Sequence, residues 1–146
     1  MAIKIVVGYD GSDGAKAALD EGVDLARKLS GTVIVTYAYG GPKSYSGAPL
    51  TPRSKLKELG EKVLGEAQAL TGEAGVSTEP VLVNESAAEG LLSVARRHDA
   101  QMIIVGTHGE SPISALLLGS TAYRLVHLSS TPVLVVPTVR QQQKAA

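Results

Sequence analysis

Short runs rich in β-branched residues take turns with longer segments of helical periodicity, and this alternation constrains the fold more than any other feature of the chain. The runs are residues 3–9, 32–39, 79–83, 102–107 and 133–136. Most lack polar alternation, which predicts strands covered on both faces, as in a parallel sheet. The first intervening segment places Ala15, Ala18, Leu19, Val23, Ala26 and Leu29 on one helical face. The second does the same with Leu56, Leu59, Val63, Ala67 and Leu70, and Glu58 and Lys62 form a favourable i,i+4 pair on its outer face. Ser86-Ala87-Ala88-Glu89 is a capping-box pattern leading into Leu91, Leu92 and Ala95. A last helix is predicted over residues 120–127, stopped by Ser129-Ser130-Thr131-Pro132. Strand–helix alternation with crossovers of this length predicts an α/β fold: a doubly wound, Rossmann-like, five-stranded parallel sheet in the order 3-2-1-4-5 with four helices.

Three segments fall outside the rhythm. Residues 40–51 are rich in Gly, Pro and Ser and read as a mobile connection; residues 106–119 form a Gly-bounded loop; residues 140–146, with their Gln run, read as a disordered tail. At 146 residues the chain fits one domain, taken as residues 1–139. A hydrophobic share of 44% excludes intrinsic disorder. Lys+Arg 14 against Asp+Glu 14 leaves no net charge, and Phe and Trp are absent, so neither a phosphate-neutralising face nor stacking platforms for nucleic acid are expected. With no cysteine there is no disulfide, thiolate nucleophile or Cys-ligated metal. The apolar run at the N-terminus is too short for a signal peptide and none reaches membrane-spanning length, so a cytoplasmic location without membrane contact is expected.

In an open parallel sheet, ligands bind outside the carboxyl ends of the strands, where the connections diverge. The segments to question are therefore Gly8-Tyr9-Asp10-Gly11-Ser12 after the first strand and Gly106-Thr107-His108-Gly109 after the fourth, with Leu118-Gly119-Ser120-Thr121 opening the last helix. Gly8, Gly11 and Gly14 do not meet the dinucleotide pattern GxGxxG, and Gly41-Pro42-Lys43-Ser44 reads as a surface turn rather than a P-loop. Residues 106–120 read G-x2-G-x9-G-S, ending at a helix start. Glycines there let the backbone approach an anion, and unpaired helix N–H groups face it, with Ser120 and Thr121 adding hydroxyls. A Gly-rich connection with a capping Ser explains the same residues. Asp10 is a candidate ligand contact or a partner of Ser12 in capping the first helix. His108 lies in the loop, while His98 and His127 end helices, where the dipole accounts for them. No Ser-His-Asp arrangement or paired carboxylates mark a catalytic site, so no catalytic residue is assigned.

Residues 3–137 resemble a universal stress protein domain of the ATP-binding type. The blocks that carry the resemblance are Gly8-Tyr9-Asp10-Gly11-Ser12, Met102-Ile103-Ile104-Val105-Gly106-Thr107-His108-Gly109, Gly119-Ser120, and Thr131-Pro132-Val133-Leu134-Val135-Val136-Pro137. The resemblance implies that Asp10, with Gly8 beside it, contacts the adenosine portion of ATP and that the Ala38 backbone bonds the adenine edge. It further implies that Gly106 lies against the ribose and that Gly109, Gly119, Ser120 and Thr121 cradle the phosphates, with Thr107 and His108 in the same loop. A divalent cation, Mg or Mn, accompanies the nucleotide in such proteins; the residues that would hold it are not assigned. Glu110 and Thr121 depart from the family pattern, and no lysine stands in the loop, leaving Arg124 as the nearest cation on the last helix.

The implied function is a nucleotide-dependent regulatory or sensing module in stress response. The alternatives are an interaction module that binds AMP, cyclic AMP or no nucleotide, and a slow ATPase. The apolar fifth strand, bounded by Pro132 and Pro137, is an edge that needs covering, and a homodimer pairing two such strands is expected, besides a protein partner that the sequence does not identify.

Overall fold

A computed structural model of the chain describes residues 2–40, 52–108 and 118–138. Its elements alternate throughout: β1 (Lys4–Gly8), α1 (Asp13–Leu29), β2 (Thr32–Ala38), α2 (Arg53–Glu73), β3 (Ser77–Val83), α3 (Ala87–Arg97), β4 (Met102–Gly106), α4 (Ser120–Leu128) and β5 (Val133–Val136). The five strands form one parallel sheet in the order β3-β2-β1-β4-β5, as the sequence predicts. Central β1 is paired on both sides, Val6 with Ile34 of β2 and with Ile103 of β4, and all three side chains are fully buried. The side-chain period of two sends odd- and even-numbered residues of β1 and β2 to opposite faces. Ile5, Val7, Val33 and Val35 pack with Leu19, Val63 and Ala67 under α1 and α2. Val6 and Ile34 pack with Leu91, Val94 and Leu125 under α3 and α4. Two cores on one sheet explain why the strands carry so little polar alternation.

The boundaries differ from expectation where local chemistry is weak. β3 begins at Ser77, two residues before the predicted start, because an edge strand does not need buried side chains, and Ser77 and Glu79 are exposed. The capping box at Ser86 is not formed. Ser86 occupies the N-cap position of α3 but makes no side-chain cap bond, and Glu89 turns away to pair with Arg124 of α4. In α1, by contrast, Ser12 caps through its hydroxyl and Ser30 closes the helix in the left-handed region, φ 52°. Most of the predicted 40–51 connection and the whole 140–146 tail lie outside the described residues, as does Gly41-Pro42-Lys43-Ser44. Among the described residues no helix is long and apolar enough to cross a membrane.

Helical glycines separate propensity from packing. At Gly65 of α2 an added Cβ would meet nothing within 4 Å, whereas at Gly22 of α1 it would sit 2.8 Å from Val7 Cγ2. Gly65→Ala is expected to raise stability by about 0.5–1 kcal/mol. Gly22→Ala, with the same gain in propensity, should lower it by about 1–3 kcal/mol through overpacking. Urea unfolding measures both, and a stabilised Gly22→Ala would contradict this seating of α1 on β1.

Candidate functional site

The chain leaves β1 for β2 on one side and β4 for β5 on the other, so the carboxyl ends of β1 and β4 flank the switch point. A cleft of about 300 Å³ opens there. Its floor is Gly8 of β1 with Thr36 and Ala38 of β2; one wall is Ala87 and Leu91 of α3; the far side is Val105, Gly106 and His108, with Thr121 of α4. Gly8 is needed for the floor, since a Cβ would press on Leu91 at 3.0 Å and Val105 at 3.2 Å.

Asp10 and Ser12 guard the mouth through a relay. Asp10 Oδ1 accepts the Ser12 N–H at 3.0 Å and the Ser12 hydroxyl at 2.5 Å, and Ser12 Oγ accepts the Ala15 N–H at 3.2 Å. Capping and lining are therefore not alternatives for Asp10: one carboxylate oxygen fixes the turn, and the residue still lines the cleft.

Ladder parity sets the backbone at Ala38. The Thr36 carbonyl accepts the Tyr9 N–H at 2.9 Å on the β1 side, and the Tyr39 N–H reaches the Val83 carbonyl at 2.8 Å on the β3 side. Alternation then directs the Ala38 N–H and C=O toward the β1 side, beyond the end of β1, into the cleft. A donor and an acceptor stand side by side there.

At the opposite end, the Gly119 N–H donates to the Thr107 carbonyl at 2.7 Å and closes the neck of the 107–119 loop. Gly119 is the N-cap of α4 and has no side chain with which to cap the amides of the first turn. Thr107 Oγ1 and His108 Nδ1 lie 3.1 Å apart.

Of the residues singled out from the sequence, the cleft brings together Gly8, Asp10, Ala38, Gly106, His108 and Thr121. Thr107, Gly119 and Ser120 do not line it; they form the neck and the start of α4 behind it. Gly109 and Glu110 lie outside the described residues. Arg124, the cation expected near the loop, is paired with Glu89 instead. His98 and His127 cap α3 and the last turn of α4, His127 Nδ1 donating to the Tyr123 carbonyl at 2.8 Å. At two glycines a side chain would point into protein: a Cβ on Gly106, whose backbone lines the cleft, would meet the Gly14 carbonyl at 2.6 Å, and one on Gly119 the Thr107 carbonyl at 2.7 Å. Sequence reasoning did not single out Thr36, Leu91 and Val105 as lining residues, since they read as ordinary strand and helix positions.

Residues 1–137 match the universal stress protein family. The chain belongs to that family. It is 31% identical over 144 residues to the universal stress protein YxiE of Bacillus subtilis, covering 91% of this chain and 97% of that protein. It is 34% identical over 134 residues to a universal stress protein of Thermus aquaticus, covering 90% and 96%. Among solved structures, a universal stress protein in complex with cAMP superposes with a TM-score of 0.73 at 28% identity, covering 94% of this chain and 98% of that one.

Tyr9, the residue between Gly8 and Asp10, has an electrostatic peculiarity. It is 3% exposed, and its hydroxyl is buried without a hydrogen-bond partner among the described residues. Burial, reinforced by Glu66, Asp10 and Asp20, pushes the phenol above its ordinary value of 10.0. Above pH 10.0 the unfolded chain therefore loses this proton first, and stability falls as pH rises toward the folded value. Tyr9→Phe should raise stability at neutral pH by about 1 kcal/mol, since it removes an unpaired buried hydroxyl. It should also flatten the loss above pH 10. Urea unfolding across pH 7–11 tests both, and an unchanged alkaline slope would contradict the assignment.

Proposed function

We propose that this universal stress protein binds an adenine nucleotide, ATP in the first instance, in the cleft between β1 and β4. It then works in the cytoplasm as a nucleotide-dependent regulatory or sensing module in the stress response. The observation that carries this reading is the Ala38 backbone: its adjacent N–H and C=O, aimed into a cleft walled by Leu91 and Val105, match the acceptor and donor on the adenine edge. The amides opening α4 supply an anion-attracting end for the phosphates, to which Thr121 adds a hydroxyl. Gly106 and Asp10 lie between, where the ribose would pass. Among the described residues no group of three or more His, Asp or Glu is placed to hold a metal ion. A magnesium or manganese ion would thus enter with the phosphates and neutralise them, a task Arg124 does not perform while it is paired with Glu89.

The second reading, a cyclic AMP or AMP module, is favoured by the similar protein solved with cAMP. Calorimetry with adenosine, AMP, cyclic AMP and ATP, with and without magnesium, decides between them. The expected result is that all four bind through the base and ATP binds tightest with magnesium. Thr121→Val should weaken ATP about fivefold, roughly 1 kcal/mol, and leave adenosine unchanged. No heat with any of the four would overturn the reading.

The assembly we propose is a homodimer through β5. Ile103 N–H donates to the Pro132 carbonyl and Thr107 N–H to the Val136 carbonyl, so even-numbered residues of this strand face β4. Val133 and Val135 therefore present their N–H and C=O groups to the open edge. Beside that edge Tyr123, Val126 and Leu128 of α4 are 47–58% exposed, an apolar surface continuous with it. Val135→Pro removes an outward N–H and no bond to β4, so it should shift a micromolar dimer to monomer while the fold persists. Sedimentation velocity reads this out; a monomeric wild type, or a folded variant that stays dimeric, would refute the seam.

A further inference from the structure

The floor of the cleft holds a polar group without a function in the fold. Thr36 lies between Ile34 and Ala38 on β2, so its side chain shares their face of the sheet, the one covered by α3 and α4. It is 2% exposed, lines the cleft, and its Oγ1 has no hydrogen-bond partner among the described residues. The core on that face is built from apolar residues such as Ile34, Leu91 and Val105, the last two of which line the cleft with it. Valine would fill the same volume, so packing does not call for the hydroxyl, and a buried hydroxyl left unpaired is destabilising. The other such group among the described residues, the Tyr9 hydroxyl, belongs to a residue that also lines the cleft but packs in the core under α1 and α2, on the sheet face opposite Thr36. Thr36 is two residues from Ala38, about 6.6 Å deeper along the strand. A purine held at one edge by the Ala38 backbone would project its remaining ring nitrogens over that depth. Rotation about Cα–Cβ exchanges the positions of Oγ1 and Cγ2 among staggered wells, so the hydroxyl can be presented to a bound base.

We propose that Thr36 is a base-selectivity residue of this cleft, its hydroxyl donating a hydrogen bond to a purine ring nitrogen on the side away from the Ala38 backbone. The proposal rests on the adenine reading above and adds the atom that separates a purine from a ring of the same shape lacking that nitrogen.

The test is calorimetry of wild type, Thr36→Val and Thr36→Ser with adenosine, 3-deazaadenosine and 7-deazaadenosine. Wild type is expected to bind one of the two deaza nucleosides about five- to tenfold more weakly than adenosine. Thr36→Val should lose a similar factor for adenosine and no longer distinguish that analogue, while melting no lower than wild type; Thr36→Ser should retain the distinction. A wild type that binds adenosine and both analogues equally would overturn the role of Thr36 and leave the adenine site standing. Equal losses for an analogue in wild type and Thr36→Val would do the same. A wild type that binds none of the three would remove the adenine reading and this proposal with it.

Discussion

The cleft depends on one close approach of backbone to backbone. The first turn of α1 lies against the end of β4 with glycine on both sides: a Cβ on Gly14 would run into the His108 carbonyl, and a Cβ on Gly106 would meet the Gly14 carbonyl at 2.6 Å. Neither contact leaves room for a side chain. The approach draws together the carboxyl ends of β1 and β4, the strands whose connections diverge at the switch point. A wider gap would move His108 away from the first turn of α1, and the cleft would lose the closure between its β1 and β4 sides.

Two further contacts make that approach usable. The Asp10–Ser12–Ala15 relay locks the turn that brings α1 in, leaving the amides of its first turn partly satisfied by its own side chains. The Gly119–Thr107 bond pins the far end of the loop, so α4 starts beside β4 whatever the intervening residues do. α1 is thus capped from within, whereas α4 is not, and the uncapped helix is the one whose first turn reaches the cleft through Thr121. That difference gives the cleft a polar end and an apolar end.

The architecture was legible because the residues that decide it act locally: β-branched runs make strands, and the 3.6-residue spacing of small apolar residues makes α1 and α2. Where the prediction slipped, the deciding contact was distant or the element was exposed. Glu89 looked like half of a capping box, but its partner, Arg124, stands 35 residues away. Of the candidate site, the cleft lining was legible at Gly8, Asp10 and Gly106, which follow or end strands in recognisable order, but not at Gly119, which does not line it. Which way each glycine faces was not, because the carbonyl that excludes a side chain at Gly106 comes from Gly14, remote in sequence. Thr36 was hidden for another reason: threonine is an ordinary strand residue, and only its apolar surroundings and missing partner set it apart.

The two edges of the sheet are built differently. On β3 the residues whose carbonyls face β2 are odd-numbered, as the Tyr39–Val83 bond shows, so Pro80 and Leu82 face outward. Pro80 thus removes an outward donor, and exposed Glu79 adds charge beside it; both features discourage another strand from adding there. β5 has neither device. Its outward residues, Val133 and Val135, keep their N–H groups, its sequence is wholly aliphatic, and α4 beside it exposes Tyr123, Val126 and Leu128. Among the described residues the edge without such devices belongs to β5, the neighbour of β4. Because β4 also carries Val105 and Gly106 into the cleft, with His108 just beyond it, one strand borders both the β5 edge and the candidate site.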